Sequence, residues 1–74
     1  MDLVTTVGGS HFGFEFKRGD VPGITKSMCD AAQDLQLKRV FEIYPGPATF
    51  ALDEAERFFA VGWRDLVKVR SLMQ

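Results

Sequence analysis

The Gly8-Gly9 pair constrains the fold of this chain more than any other feature. It separates Asp2-Leu3-Val4-Thr5-Thr6-Val7 from Ser10-His11-Phe12-Gly13-Phe14-Glu15-Phe16-Lys17, two runs of strand-like content. A two-residue hairpin turn of the primed type needs φ > 0 at both central positions, which glycine adopts without a steric penalty. With that turn, Val7 faces Ser10, Thr5 faces Phe12, Leu3 faces Phe14 and Asp2 faces Glu15. The strand period of two then puts Leu3, Thr5, Val7, Phe12, Phe14 and Phe16 on one face. Asp2, Val4, Thr6, His11, Gly13, Glu15 and Lys17 fall on the other. A slip of one residue would mix the two sets, so the hydrophobic pattern and the turn select the same register.

This register sets two carboxylates opposite each other, and like charges so placed repel unless a cation lies between them. Lys17, two residues beyond Glu15 on the same face, can be that cation. So can a divalent metal, which takes oxygen ligands. A solvated polar face with a weak surface ion pair accounts for the same residues.

The chain has 74 residues, one domain's worth. A domain of this size buries only about 60% of the surface its unfolded chain exposes. Marginal stability follows unless the chain pairs with itself or with a larger one. A net charge of −1 gives no global electrostatic case for nucleic acid or an acidic membrane. The single Cys excludes an internal disulfide and a cysteine-based metal cluster, and suits a reducing cytoplasm. No apolar run approaches the roughly 18–20 residues that span a membrane. No basic segment followed by an apolar core opens the chain, so a cytoplasmic location is expected.

After the hairpin, Arg18-Gly19-Asp20-Val21-Pro22-Gly23 reads as a loop. A helix follows, capped by Thr25 or Ser27, with Ile24, Met28, Ala31, Ala32 and Leu35 in one apolar stripe. Cys29 is expected to be a small, partly buried filler. The helix gives way near Gln36-Leu37 to the strand Arg39-Val40-Phe41-Glu42-Ile43-Tyr44, which Pro45-Gly46-Pro47 stops. Strand, helix, strand with short connections implies a right-handed crossover and a parallel pair. The crossover helix is expected to cover the Leu3/Phe14/Phe16 face. Thr49-Phe50-Ala51-Leu52 is a short extended piece, Asp53-Glu54-Ala55-Glu56 an acidic turn, and Arg57-Phe58-Phe59-Ala60-Val61 another strand. Trp63 to Met73 reads as a closing helix with Trp63 as a packing anchor. The predicted fold class is therefore α/β: a mixed sheet of about four or five strands opening with an antiparallel hairpin, one crossover helix and a C-terminal helix.

His11, the only histidine, has no nearby Ser, Cys or Asp at a triad spacing. No P-loop and no dinucleotide-binding fingerprint is present. What remains is the acid, acid, lysine constellation of the hairpin. In metal-dependent phosphodiester cleavage two acids hold Mg²⁺, which polarises the phosphate, and a lysine stabilises the developing charge. On that chemistry Asp2, Glu15 and Lys17 are the candidate catalytic residues, Asp2 and Glu15 the candidate metal ligands, and Mg²⁺ the cofactor if the acidic pair is active.

The run Gly13-Phe14-Glu15-Phe16-Lys17-Arg18-Gly19-Asp20-Val21-Pro22, with Thr25-Lys26-Ser27-Met28, Asp34-Leu35, Tyr44-Pro45-Gly46-Pro47 and Phe50-Ala51-Leu52, resembles a known family domain. It is the C-terminal domain of unknown function carried by many prokaryotic AAA-class ATPases. That domain is similar in fold to restriction-endonuclease-like nucleases with a PD-(D/E)XK motif. The resemblance runs from Asp2 to about Leu66 and implies that Asp2 stands for the first acid, Glu15 for the second and Lys17 for the lysine. The helix that precedes the first strand in such nucleases, and the ATPase module with its nucleotide site, are not in these residues. The chain is therefore expected to be a C-terminal fragment of a larger ATPase-type protein. The function expected first is a non-catalytic accessory domain acting through self-association or a partner chain. The alternatives are a Mg²⁺-dependent nuclease or its relic, and a nucleic-acid-binding module using Lys17, Arg18, Lys26, Lys38 and Arg39 as a basic edge.

Overall fold

The computed structural model describes residues 1–19 and 21–74. Its architecture is α/β, a five-stranded mixed sheet with a helix on each face. Strands β1 (Leu3–Val7) and β2 (Ser10–Phe16) form the antiparallel hairpin. Gly8 and Gly9 turn it with φ of 58° and 82°, both in the region a primed turn needs. The observed register is Leu3↔Phe14, Thr5↔Phe12 and Val7↔Ser10, as the turn and the hydrophobic pattern require.

Helix α1 (Lys26–Asp34) is capped by Thr25, whose hydroxyl accepts from the Met28 amide at 3.2 Å. It stops without glycine: Gln36 adopts φ 52° just beyond it. Strand β3 (Leu37–Tyr44) then pairs in parallel with β2. Strand β5 (Phe58–Gly62) pairs in parallel with β3, and β4 (Phe50–Ala51) pairs antiparallel to β5 at the far edge. The order across the sheet is β1-β2-β3-β5-β4.

Two cores result. Phe12, Phe14, Phe41, Ile43, Phe59 and Val61 share one face, covered by Val69, Leu72 and Met73 from the C-terminal segment. Phe41 lies at its centre, with ring centroids 5.4 Å from Phe14, 6.0 Å from Phe59 and 6.3 Å from Phe12. On the other face Met28 and Ala32 of α1 pack with Leu37, Val40 and Phe58. The expectation that the crossover helix covers the Leu3/Phe14/Phe16 face is thus overturned. Side-chain polarity favoured the phenylalanine face, but the side on which a crossover lies is fixed by the handedness of the connection. Gly13 makes the other face of β2 receptive: a Cβ there would come within 2.6 Å of Leu37 Cδ1.

Other expectations change in detail. Cys29 is exposed, since only Met28 and Ala32 of α1 are buried. The closing helix is a 3₁₀ segment (Trp63–Lys68) followed by a short α2 (Val69–Leu72), with a kink at Asp65. Three residues per turn, interrupted by the kink, shift the apolar phase away from that of a continuous α-helix. Trp63 is therefore 55% exposed rather than an anchor, and Val69 is the buried residue. In the Arg18-Gly19-Asp20 loop, Asp20 lies outside the described residues.

Candidate functional site

The three candidate residues of the hairpin lie together at the end of β2. The Asp2 amide donates to the Phe14 carbonyl at 3.1 Å, and one more step of the β1–β2 register sets Asp2 beside Glu15. Asp2 Oδ2 accepts from the Phe16 amide at 2.8 Å. Glu15 Oε1 lies 3.4 Å from the α-ammonium of Met1. Lys17 follows the last residue of β2, and its amide donates to the Ile43 carbonyl at 2.8 Å.

Each acid thus spends one oxygen on the protein itself. Among the described residues, no three of His, Cys, Asp and Glu gather as a group able to hold a metal ion. The donor set for Mg²⁺ is two carboxylates, each with an existing partner, and that is a poor fit to a paired-acid nuclease centre. His11 is tied elsewhere, its Nδ1 2.8 Å from the Thr6 hydroxyl.

A row of acids crosses the sheet at this level. Glu15 of β2 is in register with Glu42 of β3, so both side chains leave the same face of the sheet. Glu42 is fully buried; its Oε1 accepts from the Gly23 amide at 2.8 Å, and its Oε2 has no hydrogen-bond partner among the described residues. Sequence reasoning missed Glu42 because it sits inside the apolar strand Arg39–Tyr44. The available signal was that position itself, since a carboxylate in a two-sided buried strand needs a partner.

At the carboxyl ends of the three parallel strands, Phe16, Lys17, Ile43, Tyr44, Pro45 and Trp63 line an open recess of about 340 Å³. Its wall is rigidly built. Tyr44 donates its hydroxyl to the Ala48 carbonyl at 2.6 Å, and the Gly62 amide donates to the same carbonyl at 3.2 Å. Thr49 donates to Asp65 at 2.8 Å. Gly62 has no room for a side chain, since a Cβ would lie 2.5 Å from the Gly46 carbonyl oxygen.

The five basic residues do not form one edge. Lys17 and Arg18 follow the end of β2, whereas Lys38 and Arg39 open the parallel β3, at the opposite end of the sheet. Lys26 pairs with Asp30 at 2.9 Å. Arg39 donates to the Leu72 carbonyl at 2.7 Å and the Glu56 carbonyl at 3.1 Å, and lies over the Phe59 ring. It ties the C-terminal segment to the sheet.

The two outer edges of the sheet are treated differently. Strand β4 has two residues, a length that blunts an edge. Strand β1 has five, Leu-Val-Thr-Thr-Val, with neither charge nor proline. Leu3, Val4 and Val7 on it are exposed, as is Phe16 at 54%. No described helix is long and apolar enough to cross a membrane.

Over 54 residues the chain is 43% identical to the uncharacterised protein Rv2008c of Mycobacterium tuberculosis, and equally to the uncharacterised protein Mb2031c of Mycobacterium bovis. The match takes in 73% of this chain and 12% of either relative, so the chain spans a small part of the length of the curated relatives it matches. No family model and no solved structure matches the chain.

Proposed function

We propose that this chain is a non-catalytic accessory domain that acts by pairing β1 with another chain, a second copy in the first instance. The observation that carries this reading is the unguarded β1 edge. Its outward main-chain donors and acceptors come with an uncharged, β-branched sequence, the form of edge that accepts another strand. The exposed Leu3, Val7 and Phe16 continue the phenylalanine face beyond the reach of Val69, Leu72 and Met73. Burying such apolar surface contributes roughly 25 cal/mol per Å². A small domain with marginal stability of its own gains most from such pairing.

The same reading keeps the resemblance to the C-terminal, restriction-endonuclease-like domain of AAA-class ATPases. A piece matching 12% of a longer relative is consistent with a module working beside other domains. Asp2, Glu15 and Lys17 are then the remnant of a nuclease-type constellation, with Asp2 turned to a structural contact. Gel filtration with light scattering tests the proposal: apparent mass should rise from one chain toward two with concentration. A strict monomer at high micromolar concentration would count against it.

A further inference from the structure

We propose that Glu42 and Glu15 form a binding site for one divalent cation of the hard, oxygen-seeking class, such as Mg²⁺, Mn²⁺ or Ca²⁺. Three observations converge on it. First, the two glutamates are register partners on adjacent parallel strands and leave the same face. Neighbouring strands lie about 4.8 Å apart. An ion taking carboxylate oxygens at about 2.0–2.6 Å bridges side chains at that spacing. Second, Glu42 is completely buried and its Oε2 lacks a partner among the described residues, although Oε1 is held by the Gly23 amide. A buried, unpaired acceptor of this kind calls for a ligand. Third, Glu15 already attracts positive charge: the Met1 α-ammonium stands 3.4 Å from its Oε1.

The two carboxylates repel each other across the strands. A divalent ion balances both. Glu42 supplies the dehydrated inner ligand, fixed by the Gly23 amide. The partly exposed Glu15 supplies the outer ligand and the entry path, with water completing the shell. This site is separate from the β1 edge, so it stands or falls independently of the pairing reading. It also differs from the Asp2–Glu15 pair, because the partner of Glu15 is on β3 rather than at the start of β1.

The test is titration of the full chain with Mn²⁺, followed by the electron paramagnetic resonance signal of the free ion. One Mn²⁺ per chain is expected, displaced by Mg²⁺ or Ca²⁺. Glu42→Gln, which keeps an acceptor for the Gly23 amide, should weaken binding by about 10- to 100-fold, the range seen when groups supporting a metal site are removed. Glu15→Gln, at a partly exposed position, should do the same. Glu54→Gln, at an exposed acid in the turn before β5, should leave binding unchanged. Failure of Mn²⁺ to bind at millimolar concentration overturns the proposal. So does wild-type affinity in Glu15→Gln, whether or not Glu42→Gln folds.

Discussion

Replacing Arg39 by methionine isolates what holds the C-terminal segment on the phenylalanine face. The guanidinium reaches the Leu72 carbonyl at 2.7 Å and the Glu56 carbonyl at 3.1 Å, and lies 5.5 Å from the Phe59 ring centre. Hydrogen bonds from a charged donor are worth about 1.5–3 kcal/mol each when shielded, and the bond to Glu56 is exposed and counts for less. The cation–π contact adds about 0.5–1 kcal/mol. Methionine keeps most of the aliphatic packing, so the net loss should be about 2–3 kcal/mol. A chain of 74 residues has about 4–11 kcal/mol of stability in total, so this is a large fraction of it. Urea unfolding should show the loss directly, and Tm should fall by about 10–20 °C. Hydrogen exchange should quicken first in Val69–Leu72, because that segment loses its tie before the sheet does. Arg39→Lys should lie between the two, since an ammonium cannot serve both carbonyls and the ring in one geometry. A change below about 0.5 kcal/mol, the range of ordinary surface substitutions, would refute the assignment of Arg39 as the tie.

Two further substitutions probe the frame. Phe41→Ala, at the centre of the aromatic cluster, should cost about 3–5 kcal/mol and leave the chain largely unfolded at 37 °C by circular dichroism, and a loss under about 1 kcal/mol would contradict the packing described. Gly62→Ala should cost about 1–3 kcal/mol, because its Cβ meets main-chain atoms of Gly46 and Pro47 that have no rotamer to change. Gly23→Ala, where a Cβ meets nothing within 4 Å, serves as the control and should keep the wild-type urea midpoint.

The hairpin was fully legible in the sequence because two independent signals agreed there. Gly8-Gly9 fixes the turn, and the alternation of phenylalanines with Gly13 and Glu15 fixes the register. The parallel β2–β3 pair was legible for a related reason, since a short strand-helix-strand path admits one arrangement. The face taken by α1 was not: the phenylalanine face is the more apolar one, yet α1 packs on the other. The exposure of Trp63 was hidden by the 3₁₀ geometry and the kink at Asp65, which break the α-helical phase on which the apolar stripe was counted. Of the acidic row, Asp2 and Glu15 could be set side by side from one hairpin. Glu42 joins them only once β3 is placed next to β2, a pairing of residues 27 positions apart, as their numbers show. The basic edge failed for the converse reason. Lys17 and Arg18 end one strand while Lys38 and Arg39 open the next, and parallel pairing sends the two pairs to opposite ends of the sheet.

The central claim is that β1 is an edge made to accept another strand. Light scattering on gel-filtered protein across a concentration series measures it most directly, set beside a Val4→Lys/Thr6→Lys variant that puts charge on that edge. The wild-type mass should climb from 8.3 kDa toward twice that value, while the variant stays at one chain with an unchanged circular dichroism spectrum. A wild-type mass fixed at 8.3 kDa through the high micromolar range would contradict the claim, as would a variant that associates as readily as the wild type.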